Sequence, residues 1–160
     1  MEEVGVLFPL FQWFEATALG RIVRESLWMF PVAEAFHLVG LAILGGALLV
    51  VDLRLLGIGL KDSTIQDIDR QARPWLTFSV ALCLVTGVLL FLSEAVKCYY
   101  NTSFWVKIIT LPFAILFTYL VRERFARKAL YTTAYSQWVA SADLLLWFIV
   151  AAGGRWIGYS

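Results

Sequence analysis

Histidine occurs once in this chain, as His37, and cysteine twice, as Cys83 and Cys98. That scarcity excludes much. No CxxCH stretch is present to attach a c-type haem covalently. There is also no HExxH, no Walker loop, no GxSxG and no paired carboxylate–histidine sets for a two-metal centre. Hydrolase and kinase chemistry therefore have no residues to use, and no independent catalytic activity is expected. Charge is scarce as well: 16% of residues are charged, where a soluble domain carries about a quarter. A net charge of +1 and the lack of a large basic stripe argue against nucleic acid as a partner. The two cysteines are too far apart along their segment to pair easily, and Cys83 reads as a small packing residue.

What the chain has instead is long apolar runs. It is 61% hydrophobic with a mean hydropathy of +0.77. Crossing a hydrocarbon core takes roughly 20 mainly apolar residues. Four stretches meet that length, giving spans at about 30–54, 74–96, 104–124 and 137–158. The expectation is a single all-α domain over 1–160, a polytopic four-helix bundle in a lipid bilayer. The opening MEEVGVLF holds two acids and no base, unlike a secretory signal. Residues 7–27 are apolar but interrupted by Glu15, Arg21, Arg24 and Glu25, which predicts an interfacial helix lying along the membrane surface. Pro31 fits the first turn of the first span, and Pro74 is expected to open the second. Ser63 with Gln66 has the spacing to cap a short polar helix before it. Residues 97–103 read as a polar turn, and Pro112 should kink the third span.

Orientation follows from the basic residues. The two loops after the first and third spans carry Arg54, Lys61, Arg70, Arg73, Arg122, Arg124, Arg127 and Lys128, against Arg21, Arg24, Lys97, Lys107 and Arg155 on the other side. Eight against five places those loops in the cytoplasm and both termini outside. Glu34, His37, Glu94, Lys107 and Arg155 then share the outer half of the bundle. Arg155 is expected to pair with Glu34, Glu94 or both, because a charge in hydrocarbon costs several kcal/mol unless it finds a partner or water. Such pairs can simply lock helix packing. His37 has two open readings: an imidazole bonded to a carbonyl, or a ligand to haem iron or another metal. At the inner side Asp52, Arg54 and Asp143 form a second polar group, with Arg54 or Arg73 the expected partner of Asp143.

The pattern ExxHxxGxAxxxG with DLRLLG (Glu34–Gly57) and the terminal GRWIGY (Gly154–Tyr159) resembles an uncharacterised family of small bacterial four-helix membrane proteins. The first span alone is more distantly similar to the copper-resistance D group, whose members are linked to copper handling or haem. The resemblance implies a bacterial inner-membrane location and marks Glu34, His37, Asp52, Arg54 and Arg155 as the polar signature. Three functions follow as expectations. The first is a b-type haem protein or electron-transfer subunit, with His37 as axial ligand, Glu34 orienting it and Arg155 holding a propionate. The second is a cofactor-free accessory subunit of a homo-oligomer or larger membrane complex. The third is a transporter of a metal or small solute.

Overall fold

The computed structural model describes residues 6–157. Two short helices, α1 (Phe8–Glu15) and α2 (Ala18–Glu25), precede four long ones. These are α3 (Met29–Leu56), α4 (Ile65–Ser93), α6 (Thr102–Ala126) and α7 (Ala134–Ile157), with a short α5 (Ala95–Tyr100) between α4 and α6. All four long helices have the length and hydropathy to cross a membrane, and no strand occurs among the described residues. The expected all-helical, four-span architecture is what forms. The last expected span boundary, residue 158, and the end of the GRWIGY motif lie outside the described residues.

The local chemistry accounts for the helix ends. Gly57 adopts a left-handed φ of 80° and closes α3, while the Ile58 N–H reaches back to the Leu53 carbonyl at 3.0 Å. Thr64, not Ser63, caps α4 by accepting the Asp67 N–H at 3.1 Å. That shift of one residue has a larger consequence. The polar segment is not a separate helix; it is the first turns of α4, and Pro74 sits inside the continuous helix. Proline's fixed φ is helical, so one missing backbone bond is its main cost there. Thr133 and Ser136 cap α7 reciprocally, each hydroxyl accepting the other residue's N–H, at 2.9 and 3.1 Å. Asn101 caps α6 through the N–H groups of Ser103 and Phe104.

The predicted interfacial helix is two helices, broken at Ala16–Thr17, with Thr17 accepting the Gly20 N–H at 3.2 Å. They fold over one end of the bundle. Gly20 explains how closely α2 can lie on α4: a Cβ there would stand 2.5 Å from the Leu92 carbonyl oxygen. Phe11 packs among Phe91, Phe104 and Trp105, with Phe91 and Phe104 stacked at 5.4 Å. Glu15 accepts the Val96 N–H at 2.7 Å and pairs with Arg24 at 2.9 Å. Two of the interruptions that made residues 7–27 unfit to span, Glu15 and Arg24, thus help to fasten the cap to the turn around α5.

Within the bundle α3 packs along α4 and α7, and α7 along α6. Leu44, Ala47, Leu48, Leu76 and Val80 fill the middle, and Val51, Leu55, Ile65, Ile68, Ala126 and Ala140 fill the end remote from the cap. Near that end α6 departs from regular geometry in a π-helical turn, Thr118–Arg122. Its extra residue per turn re-aims side chains, and such turns are frequent at functional sites.

Candidate functional site

Polar side chains gather at two levels of the bundle. In the half nearer the cap, α3 presents Ala33, Gly40 and Leu44 inward. His37 lies on the edge of that stripe and turns towards α4, where its Nδ1 is 2.8 Å from the Thr86 hydroxyl. The Thr86 hydroxyl has one proton, and the Leu82 carbonyl takes it at 2.7 Å. With that proton on Leu82, Thr86 accepts from the ring, the arrangement in which Nδ1 carries the imidazole hydrogen and Nε2 keeps its lone pair. Gly87 leaves the room the ring needs, since a Cβ there would stand 3.4 Å from His37 Cε1. At Gly40 a Cβ would come within 2.8 Å of Cys83 Sγ, so this glycine serves close α3–α4 contact.

Lys107 of α6 is at the same end of the bundle. Its chain runs over Gly153 and Gly154 of α7, with Nζ 3.4 Å from where a Gly154 Cβ would be. The remaining members of the expected outer cluster are elsewhere. Glu34 is exposed, because it stands about 60° further round α3 than His37, outside the inward stripe. Glu94, also exposed, pairs with Lys97 at 3.9 Å. No described ion pair joins Arg155 to Glu34 or Glu94, and Arg155 is not without a partner. The orienting partner of His37 is accordingly Thr86 rather than Glu34. Cys98, outside the spans in α5, is enclosed by the aromatic cap. Burial first, and Glu94 second, push its thiol up to about 11.

The second level is more heavily charged. Asp52 of α3, Asp69 of α4, Arg122 and Glu123 of α6 and Asp143 of α7 are all at most 2% exposed. Arg122 is the hub. Its Nε lies 3.4 Å from Asp52 and 3.5 Å from Asp143, and its Nη1 lies 3.5 Å from Asp69. Arg73 joins Asp69 to Glu123, and Arg127 closes on Glu123 at 2.9 Å. Thr118 sits 2.7 Å from Asp143 Oδ1, and the Trp147 indole donates to the Thr118 oxygen at 2.9 Å. The π-helical turn spans Thr118 and Arg122 and lets both face the core.

Arg54 and Arg73 were the expected partners of Asp143, and Arg122 takes that place. Arg54 instead ties the loops, donating to the Ser63 carbonyl and the Thr132 hydroxyl at 2.9 and 3.0 Å. Sequence reasoning placed Arg122 and Glu123 in a solvated loop and left Asp69 in a polar connector. One signal was available: Asp69–Arg73, Thr118–Arg122 and Glu123–Arg127 all have i,i+4 spacing, the mark of helix continuing past the apolar run. Among the described residues no group of three or more His, Cys, Asp or Glu is arranged to hold a metal ion.

Neither a curated protein nor a solved structure matches the chain. One family model does, over residues 10–160, which takes in both polar levels and all four long helices. The chain belongs to a family of unknown function, DUF6644.

Proposed function

We propose that this is a haem-binding protein of the bacterial inner membrane, with both termini on the periplasmic side, acting in electron transfer alone or as a subunit. The observation that carries the reading is the 2.8 Å contact between His37 Nδ1 and the Thr86 hydroxyl. With Nδ1 engaged by Thr86, Nε2 is the nitrogen that would serve as axial ligand to b-type haem. Lys107, in the same half of the bundle on α6, is the cation suited to a propionate, with Arg155 further towards that end of α7. Bound there, haem would supply one-electron redox chemistry. The chain's own part is to fix the ring's orientation through Thr86 and Gly87, to keep a positive charge at hand and to hold the site among apolar helices. The orientation in the membrane is supported by the basic residues of the loops around Arg54–Arg73 and Arg122–Lys128.

The test is an absorption spectrum of protein purified in mild detergent, before and after dithionite. A Soret band that is lost in His37→Ala and retained in Glu34→Ala is the expected result. Protein without a Soret band or iron, or a His37→Ala variant with its full haem load, would overturn it.

A second reading has its own observation. Only 17% of the apolar window of α6 is buried, about half the 33% of α3 and α7, and Ile108, Ile109, Phe113 and Leu116 lie exposed along it. A cofactor-free accessory subunit would use that face against a second copy or a larger membrane complex. It predicts co-purification at constant stoichiometry without a chromophore, and a strictly monomeric, unaccompanied particle would count against it.

A further inference from the structure

The charged level at the end remote from the cap is not used by the haem reading and stands independently of it. Its charges do not balance. Asp52, Asp69, Glu123 and Asp143 supply four negative charges; Arg73, Arg122 and the half-exposed Arg127 supply three positive ones. Arg54, also buried at this end of α3, turns away to the Ser63 carbonyl and the Thr132 hydroxyl, so the seven named are the charged groups that α3, α4, α6 and α7 bring together here.

The hydrogen bonds fall short in the same place: Arg73 Nε, Arg122 Nη2 and Glu123 Oε1 are buried without a hydrogen-bond partner, and Asp52 fares worst. Both oxygens of Asp52, which is fully buried, lack a donor. Asp52 Oδ1 and Asp143 Oδ2 converge on the same Arg122 Nε, at 3.4 and 3.5 Å, yet as carboxylates neither has a hydrogen to offer the other. Thr118 has a single hydroxyl proton and two close acceptors, the Ala114 carbonyl at 2.8 Å and Asp143 Oδ1 at 2.7 Å. A hydroxyl can satisfy one of them. Two carboxylates facing each other in an enclosed site do not both stay ionised; one proton between them removes the repulsion and creates the missing donor.

We propose that Asp52 and Asp143 form a proton-binding site that holds one proton between the two carboxyls. The added hydrogen gives the pair a donor: from Asp52 to Asp143, or from Asp143 to Thr118, whose own proton then goes to Ala114. It also brings the network to neutrality around Arg122. A bound metal ion would meet the charge deficit but not the missing donor, because a cation supplies no hydrogen.

Infrared spectroscopy of the full chain in detergent, in H2O and D2O across a pH series, tests the site. The wild-type protein at neutral pH is expected to show a protonated-carboxyl C=O band that shifts in D2O and disappears at high pH. Asp52→Asn and Asp143→Asn should each abolish the band. Asp52→Asn should also keep the wild-type melting temperature at neutral pH, because its amide donates where the proton did. No such band in the wild type, or a band that survives in both variants, would overturn the site. So would a melting temperature raised by sodium in wild type but not in the variants, with no band present. The wild-type spectrum is decisive by itself if a variant fails to fold.

Discussion

Replacing Arg122 by alanine removes the one guanidinium shared by Asp52, Asp69 and Asp143, each of them at most 1% exposed. Removing one partner of a buried ion pair costs about 3–5 kcal/mol, because the charge left behind can neither reach water nor find a new partner. Three acids depend on this arginine, so the upper part of that range is expected. A protein of this length loses roughly 2–4 °C of melting temperature per kcal/mol, which makes the expected drop about 6–20 °C. Arg24 provides the internal reference. Its pair with Glu15 is similarly close, at 2.9 Å, but partly exposed (41% and 25%), and such pairs contribute about 1 kcal/mol or less. Arg24→Ala should therefore move the melting temperature by no more than about 4 °C. Tryptophan fluorescence on heating, with circular dichroism as a check on helix content, reads both variants. A third variant isolates the cause: adding Asp69→Asn to Arg122→Ala removes one stranded charge and should recover part of the loss. Equal, small shifts for Arg122→Ala and Arg24→Ala would refute the reasoning, and so would a double variant no more stable than Arg122→Ala.

Gly20→Ala should destabilise by about 1–3 kcal/mol, since its Cβ would meet the backbone oxygen of Leu92 at 2.5 Å and backbone does not yield cheaply. Gly46→Ala, with nothing within 4 Å of its Cβ, should be neutral or stabilising by about 0.5–1 kcal/mol through helix propensity; thermal melts of the pair check the contrast. Cys98 should resist alkylation in a Cys83→Ala background. With its thiol raised from 9.0 to about 11, native protein at mildly alkaline pH presents about 100-fold less thiolate than an ordinary cysteine. The native state keeps that proton, so this thiol's contribution to stability is present below about pH 9 and is lost as pH rises through about 11. Alkylation followed by mass spectrometry, with and without denaturant, reads the protection, and equal rates in the two conditions would count against it.

The fold was legible because hydropathy and length are properties of the chain itself. Four long apolar segments admit little but four membrane-crossing helices, and Gly57, Pro31 and the caps then set several of the ends. The register of side chains about each helix was harder. Glu34 and His37 looked like neighbours on one face, and a difference of about 60° put one outside and the other against Thr86. The polar connector before Pro74 looked like a short helix of its own because proline usually marks a boundary. It is continuous with the span, and its Asp69 and Arg73 are consequently carried into the bundle.

Composition alone made this chain a membrane protein, poor in catalytic motifs and with one imidazole, because transfer energies of side chains add along a segment whatever lies beside it. Which charges meet was a matter for the tertiary structure. Arg122, Asp52, Asp69 and Asp143 come from four different helices, and their meeting depends on helix rotation, on the π-helical turn at Thr118–Arg122 and on which helices are neighbours. A charged residue near the end of an apolar run is equally at ease in water or in a paired core, and only the partners across the bundle decide between them.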